Sequence, residues 1–131
     1  MISLKKHSWP KMKGLLFVAH GSRREESNQE FRQMVSQLKV RLASSYEKID
    51  ASFLEFAEPC IEDTLKAMIQ EGVKAVWIYP FFLNSGKHVH KDIPQKINEI
   101  SVLYPDVRFE LLPHFGSSTY ILDVITNDLK D

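Results

Sequence analysis

The chain has 131 residues, 44% of them hydrophobic and 26% charged, and its 17 basic residues cancel its 17 acidic ones. That length holds one hydrophobic core, and that balance belongs to an ordinary globular protein, neither disordered nor membrane-embedded. The basic residues gather into no long face and no apolar run reaches spanning length, so neither nucleic acid nor a bilayer is expected as a partner.

Residues 1–13 hold Lys5, Lys6, Lys11 and Lys13 without the apolar run of a secretory signal, and read as a basic extension ahead of a single domain over 14–131. Gly14 to Ala19 is continuously apolar, as a strand covered on both faces must be, and stops at His20-Gly21-Ser22. Phe31, Met34, Val35, Leu38 and Leu42 follow at helical spacing, and Ser22 with Glu25, or Ser27 with Glu30, fits a capping box for a helix reaching about Ser44. Ile49, Ala51 and Phe53 alternate with Asp50 and Ser52, the pattern of a strand with one wet face or at an edge. Glu58-Pro59 opens a second helix, with Pro59 at its first position, Ile61, Leu65, Met68 and Ile69 as its buried stripe and Gly72 as its left-handed end.

Ala75 to Leu83 is the second continuously apolar strand, ended where Pro80 removes a ladder donor. Beyond a polar loop, Asp92 is placed to cap a helix whose Ile93, Ile97, Ile100 and Tyr104 share a face and which Pro105 stops. Val107, Phe109 and Leu111 alternate as another edge strand, and Ser117 or Ser118 starts a last helix, expected to bury Ile121, Ile125 and Leu129. Strand and helix thus alternate four times, which implies an α/β three-layer sandwich on a parallel sheet with right-handed crossovers. The two fully apolar strands belong inside, giving the order 2-1-3-4 of flavodoxin-like sheets with its switch point between strands one and three.

That topology brings His20, leaving strand one, and His88, following strand three, to one crevice. Cys60 is the only cysteine, which excludes an internal disulfide and a cysteine zinc cage, fits a reducing cytoplasm and leaves transition-metal chemistry to the histidines. For His20 the plainer reading is a turn histidine bonded to nearby backbone. Gly21-Ser22 with the helix start offers an anion cradle, though far short of a phosphate-loop signature. His88 and His90 reach one ion only if the backbone between them is extended; otherwise they point apart and are solvated beside Lys87 and Lys91. Glu55 and Glu58 end strand two, where a carboxylate can face the crevice, but Glu58 competes as a helix cap. Cys60 reads as a small packed hydrophobe, and His114 as part of a turn.

Three segments together resemble a known family: Phe17-Val-Ala-His20-Gly-Ser, Phe53-Leu-Glu-Phe-Ala-Glu-Pro59, and Tyr79-Pro-Phe-Phe-Leu-Asn-Ser-Gly86-Lys-His88 with Asp92-Ile-Pro94. In order and spacing from Gly14 onward the chain is similar to the small sirohydrochlorin cobaltochelatases, the CbiX-like proteins, and to the ferrochelatases of sirohaem synthesis. The resemblance implies a chelatase-like fold and insertion of a divalent metal, cobalt first and iron or nickel next, into sirohydrochlorin for cobalamin or sirohaem. The metal is then a substrate, with no tightly bound cofactor. It implies His20 and His88 as metal-contacting proton acceptors, Glu55 or Glu58 as acidic helper, and a homodimer enclosing the macrocycle. Ser22, Arg23, Gly86 and Lys87, with Arg24 and Lys91 nearby, are the candidate contacts of its carboxylates. The alternative is a protein of this fold that binds metal or tetrapyrrole without inserting one into the other.

Overall fold

A computed structural model describes residues 12–131. The basic lead-in therefore lies outside the described residues over 1–11. Met12 packs against the core and Lys13 is already the first residue of the first strand. The elements are β1 (Lys13–Ala19), α1 (Glu25–Arg41), β2 (Lys48–Phe53), α2 (Ile61–Gln70), β3 (Ala75–Pro80), α3 (Ile93–Leu103), β4 (Arg108–Leu111) and α4 (Ile121–Leu129). A π-helical turn over His88–Asp92 leads into α3, and a short 3-10 turn over Phe115–Ser117 precedes α4.

All strand pairs are parallel and the order is β2-β1-β3-β4, the arrangement expected from two apolar strands between two alternating ones. Because side chains alternate across the pleat, β1 feeds two cores. Leu16 and Val18 meet Val76 and Ile78 beneath α2 and α3, which contribute Ile61, Leu65, Met68, Ile93 and Ile97. Leu15 and Phe17 face the other way, toward Ile49, Phe53 and the Phe31 and Val35 stripe of α1. Burying a side chain of this size contributes about 1.5–3 kcal/mol, so the paired layers fix the sheet firmly and with it the positions of both strand ends. The wet face expected of β2 holds only in part: Ser52 is fully buried, and its hydroxyl donates to the Phe17 carbonyl at 3.0 Å.

Several helix ends differ from expectation. Neither capping box forms at α1: Arg24 is its N-cap without a side-chain cap bond, and the helix stops at Arg41. Asn28, buried beneath the turn, instead clasps Ser22, accepting from its N–H at 2.9 Å and donating to its carbonyl at 2.8 Å. Helix α2 starts at Ile61 with Cys60 as N-cap, its sulfur accepting from the Asp63 N–H, so Glu58 is not the cap. Residues 59 and 60 are engaged elsewhere, pairing with the end of β2 through Phe53 N–H to Pro59 carbonyl at 2.9 Å. Gly72 does end α2 in the left-handed region, at φ +104°. Asp92 is no cap either, since it lies within a continuous helical turn.

The largest departure is α4. It begins at Ile121, not at Ser117 or Ser118, and buries nothing: Ile125 is 48% and Leu129 79% exposed. A turn hydrogen-bonded within itself holds it off the lobe, with Tyr120 N–H donating to Ser118 Oγ and Ile121 N–H to the Ser118 carbonyl.

Candidate metal centre

The ladder of β1 continues past its last residue, and this extension builds half the site. Leu54 N–H donates to the Ala19 carbonyl at 3.0 Å and Glu55 N–H to the His20 carbonyl at 2.9 Å, so the backbones of His20 and Glu55 are tied side by side. Gly21 makes this approach feasible. It sits at φ +95°, and a β-carbon there would lie 1.7 Å from the Glu55 carbonyl oxygen. The residue after Glu55, Phe56, is held at φ +66°, a region bulky side chains rarely enter, and Phe56 is 53% exposed.

The other half comes from β3. After Pro80 the chain crosses an exposed turn and winds into the π-helical turn, closed by His90 N–H to the Gly86 carbonyl at 2.8 Å. That winding projects His88 toward His20, with ring centroids 4.7 Å apart. It also places Asp92 one turn along, where its carboxylate accepts from His88 Nδ1 at 2.7 Å. The helical backbone sends His90 away from His88, and His90 is exposed.

His20, Glu55 and His88 each bring one donor atom to within 4.8 Å of the others. His20 Nδ1 faces the Gly21 carbonyl at 3.0 Å and His88 Nδ1 faces Asp92, so both ring nitrogens must carry their protons. Each Nε2 is then the ring nitrogen left for the shared space. His20 Nε2 lies 3.1 Å from Glu55 Oε2, hydrogen-bonding distance, so the pair is placed to share a proton or to hold a cation. The side chains of His20 and His88 are 38% and 39% exposed, so the centre is reached directly from solvent.

Its surroundings are aromatic and basic. Phe56 lies beside His20 at 6.0 Å between centroids, with the Arg23 guanidinium 4.8 Å over its outer face, and Phe82 stands 6.3 Å from His88. A cleft of about 380 Å³ runs from Glu55 and His88 past Lys87 to Gln95 and Lys96. Lys96 is already paired with Glu62 at 3.0 Å. A larger depression, about 600 Å³, lies over edge strand β2 between α1 and α2 and contains none of the histidines.

Among the other candidates, Lys87 lines the cleft and Gly86 is exposed at the start of the π turn. The Ser22 N–H is taken by Asn28 and its hydroxyl accepts from Arg24 N–H, which leaves the hydroxyl proton as the donor Ser22 can offer an anion. Glu58 is exposed outside the cluster, its carbonyl accepting from Arg32. Cys60 is half-buried, and burial raises its thiol pKa, in keeping with an unreactive residue. His114 lies in the turn before α4, accepting from Ser117. Sequence reasoning missed Asp92 and Phe56 as parts of the site. Spacing four residues beyond His88 was a usable signal for Asp92, once the segment is read as helical. Phe56 carried none.

The family model that matches is CbiX, over residues 14–131. Among curated relatives, the chloroplastic sirohydrochlorin ferrochelatase of Arabidopsis thaliana is 32% identical over 117 residues, covering 89% of this chain and 51% of its own. The sirohydrochlorin cobaltochelatase of Methanococcus maripaludis is 36% identical over 84 residues, covering 64% and 57%. The crystal structure of the sirohydrochlorin chelatase SirB from Bacillus subtilis subspecies spizizenii, in complex with cobalt, superposes with a TM-score of 0.82 at 28% identity, over 92% of this chain and 50% of that one. The chain therefore spans about half the length of the curated relatives it matches.

Proposed function

Because this chain belongs to the CbiX family, we propose that it is a chelatase inserting a divalent metal ion, cobalt before ferrous iron or nickel, into sirohydrochlorin. The observation that carries this reading is the convergence of His20, Glu55 and His88 with both histidine Nδ1 atoms already bonded away from the shared space. Insertion exchanges one divalent ion for two pyrrole N–H protons, so the site must first hold the ion and then accept protons. Neutral imidazole and carboxylate do both near pH 7, and nitrogen donors suit ions such as cobalt, nickel and iron. His20 Nε2 with Glu55 forms the pair that accepts a proton, and His88 Nε2 presents the ion. Phe56 offers a face for the planar ring, while Arg23 and Lys87 lie where its carboxylates would reach.

A cleft of about 380 Å³ on one lobe is small for a macrocycle, given that pockets enclose most of a bound ligand within about 300–1,000 Å³. The active species on this reading is therefore a homodimer that closes over the ring. We place it in the cytoplasm, where a single-cysteine chain suits the reducing conditions. Among the described residues no helix is long and apolar enough to cross a membrane.

The test mixes purified protein with sirohydrochlorin and cobalt, ferrous iron or nickel and follows loss of the metal-free spectrum. Insertion faster than the protein-free rate for at least one metal is expected, and His20→Ala should slow it by about 10²–10⁴-fold. Rates equal to the protein-free control for every metal would refute the chelatase reading. Tight binding of either substrate in the same samples would then assign the chain as a carrier.

A further inference from the structure

His20 and Glu55 both stand on loops, and both loops are tied to one face of α1. Glu25, Asn28 and Arg32 follow one another at helical spacing, so their side chains share that face. Asn28, 3% exposed, holds the loop that follows His20: its amide accepts from the Ser22 N–H at 2.9 Å and donates to the Ser22 carbonyl at 2.8 Å. Arg32 holds the loop that carries Glu55. Its Nη2 donates to the Glu58 carbonyl at 2.9 Å, and its guanidinium lies 5.0 Å over the ring of Phe53, where that loop leaves β2. Glu25 joins the two ties. One of its carboxylate oxygens accepts from Asn28 at 3.1 Å and the other from Arg32 at 2.8 Å, so both loops are referred to a single group. The same two contacts, Asn28 first, hold the Glu25 carboxyl below its ordinary 4.5.

The Glu55 loop needs such a tie. Its chain reverses at Phe56 in a tight turn closed by Ala57 N–H to the Glu55 carbonyl at 2.8 Å, with Phe56 at φ +66°. A bulky residue held there is strained and persists only where surrounding contacts over-determine it. The Glu55 N–H bond to the His20 carbonyl pins the entry to this turn, and the Phe53 N–H bond to the Pro59 carbonyl pins the exit. Between them the bond from Arg32 reaches in from α1, charge-assisted and hence stronger than a neutral one. Without it the turn is free to relax, and the residue that opens the turn is Glu55, whose Oε2 stands 3.1 Å from His20 Nε2.

We propose that Arg32 is a positioning residue for the metal centre, acting with Glu25 and Asn28 to preset the spacing of His20 and Glu55 before an ion arrives. Its hydrogen bonds go to Glu25, Gln29 and the Glu58 carbonyl, none of them a donor of the centre. What it supplies is preorganisation: a ligand pair already at its spacing binds an ion without the ordering a loose loop would require. Arginine suits the task because its planar fork serves the carboxylate of its own helix and the carbonyl of the loop in fixed directions while stacking on Phe53, and lysine is a poor replacement at a forked and stacked site. The proposal rests on the reading of His20, Glu55 and His88 as a metal centre.

The test measures cobalt affinity by calorimetry on the full chain, without tetrapyrrole, at a temperature where every variant is folded. Arg32→Lys should weaken binding about 10-fold, the lower end of what losing a ligand's supporting contact does. Glu25→Gln leaves one acceptor where two bonds arrive and should weaken it by less; that side chain is 66% exposed, so folding is not at stake. Wild-type affinity in either variant overturns the proposal. Val35→Ala loosens the same helix from the core and reaches neither loop, so it should lower Tm and leave cobalt affinity at the wild-type value. An equal loss of affinity there would make Arg32 a stabilising residue only and overturn the proposal. In a Glu55→Gln background Arg32→Lys should weaken cobalt binding no further, because it acts through Glu55; a full additional loss would show that it acts elsewhere. Cobalt binding with these variant effects, but no metal insertion, refutes the chelatase reading alone and leaves this proposal standing. A wild type that binds no cobalt overturns both.

Discussion

Gly21→Ala is the substitution that asks most of this site. A β-carbon built at position 21 lies 1.7 Å from the Glu55 carbonyl oxygen and 2.9 Å from its carbon, so the carbonyl must retreat by about 1.3 Å merely to reach a 3.0 Å separation. Retreat on that scale stretches the Glu55 N–H to His20 carbonyl bond, now 2.9 Å, beyond useful length and draws the Glu55 carboxylate off His20 Nε2. Alanine at φ +95° adds backbone strain of about 1–2 kcal/mol, and one lost hydrogen bond about 0.5–1.5 kcal/mol. The sum is on the order of 1.5–3.5 kcal/mol, equivalent to a fall of roughly 5–14 °C in Tm for a domain this size. The assay pairs thermal unfolding with cobalt titration by calorimetry. Stability should drop by that amount, and affinity for cobalt should fall in the folded protein at low temperature because the His20–Glu55 spacing has opened. A variant that kept wild-type Tm and wild-type cobalt affinity would refute the claim that this glycine sets the spacing of the centre.

Asp92→Ala should weaken cobalt binding by about 10–100-fold by releasing His88 Nδ1, and Asp92→Asn by less, since an amide oxygen still accepts that proton; calorimetric titration that gave wild-type affinity for the alanine variant would remove Asp92 from the site. Phe56→Ala should raise KM for sirohydrochlorin by about 2–10-fold through lost stacking while leaving cobalt affinity unchanged, and Phe56→Gly should in addition raise Tm by relieving the φ of +66°. Burial pushes the Glu62 carboxyl up, but its own backbone N–H and the Lys96 ammonium at 3.0 Å outweigh this and hold it below the ordinary 4.5. A lowered folded-state pKa means the unfolded chain binds the proton first, so the stability this pair contributes is complete above pH 4.5 and fades as pH falls through the folded value. Glu62→Gln should therefore flatten the acid limb of a Tm-against-pH curve, and an unchanged limb would show the pair to be inert.

How far the sequence could be read depends on whether a residue's partner is near or distant. The strand order was legible because burial on two faces leaves an unmistakable apolar run in β1 and β3, and alternation marks β2 and β4. With the order in hand, the meeting of His20 and His88 followed from topology alone. The start of α2 was not legible. Pro59 satisfies every local rule for a first helical position, but its carbonyl is claimed by Phe53 at the end of β2, a partner no local rule names. Ser52 is the same case, polar in sequence yet buried because its hydroxyl finds the Phe17 carbonyl across the ladder. Helix α4 fails in the opposite sense. Its stripe is written as clearly as that of α1, but a stripe states only that a helix has one apolar face, not that its own lobe covers it.

The two histidines, alike in the sequence, are made unequal by their anchors, and this bears on how the proposed reaction would proceed. His88 donates its Nδ1 proton to a carboxylate, whose charge strengthens the bond and makes the opposite Nε2 a better electron donor. His20 donates to the neutral Gly21 carbonyl, a weaker push, but keeps a second carboxylate at its Nε2 side. An ion arriving first therefore finds its strongest nitrogen ligand at His88 and charge neutralisation at Glu55. With the ion in the macrocycle, His20 Nε2 and Glu55 Oε2, 3.1 Å apart, would be the pair placed to take up a pyrrole proton. On this reasoning ion presentation depends on Asp92 through His88, while proton removal depends on Gly21 through the pairing of His20 with Glu55.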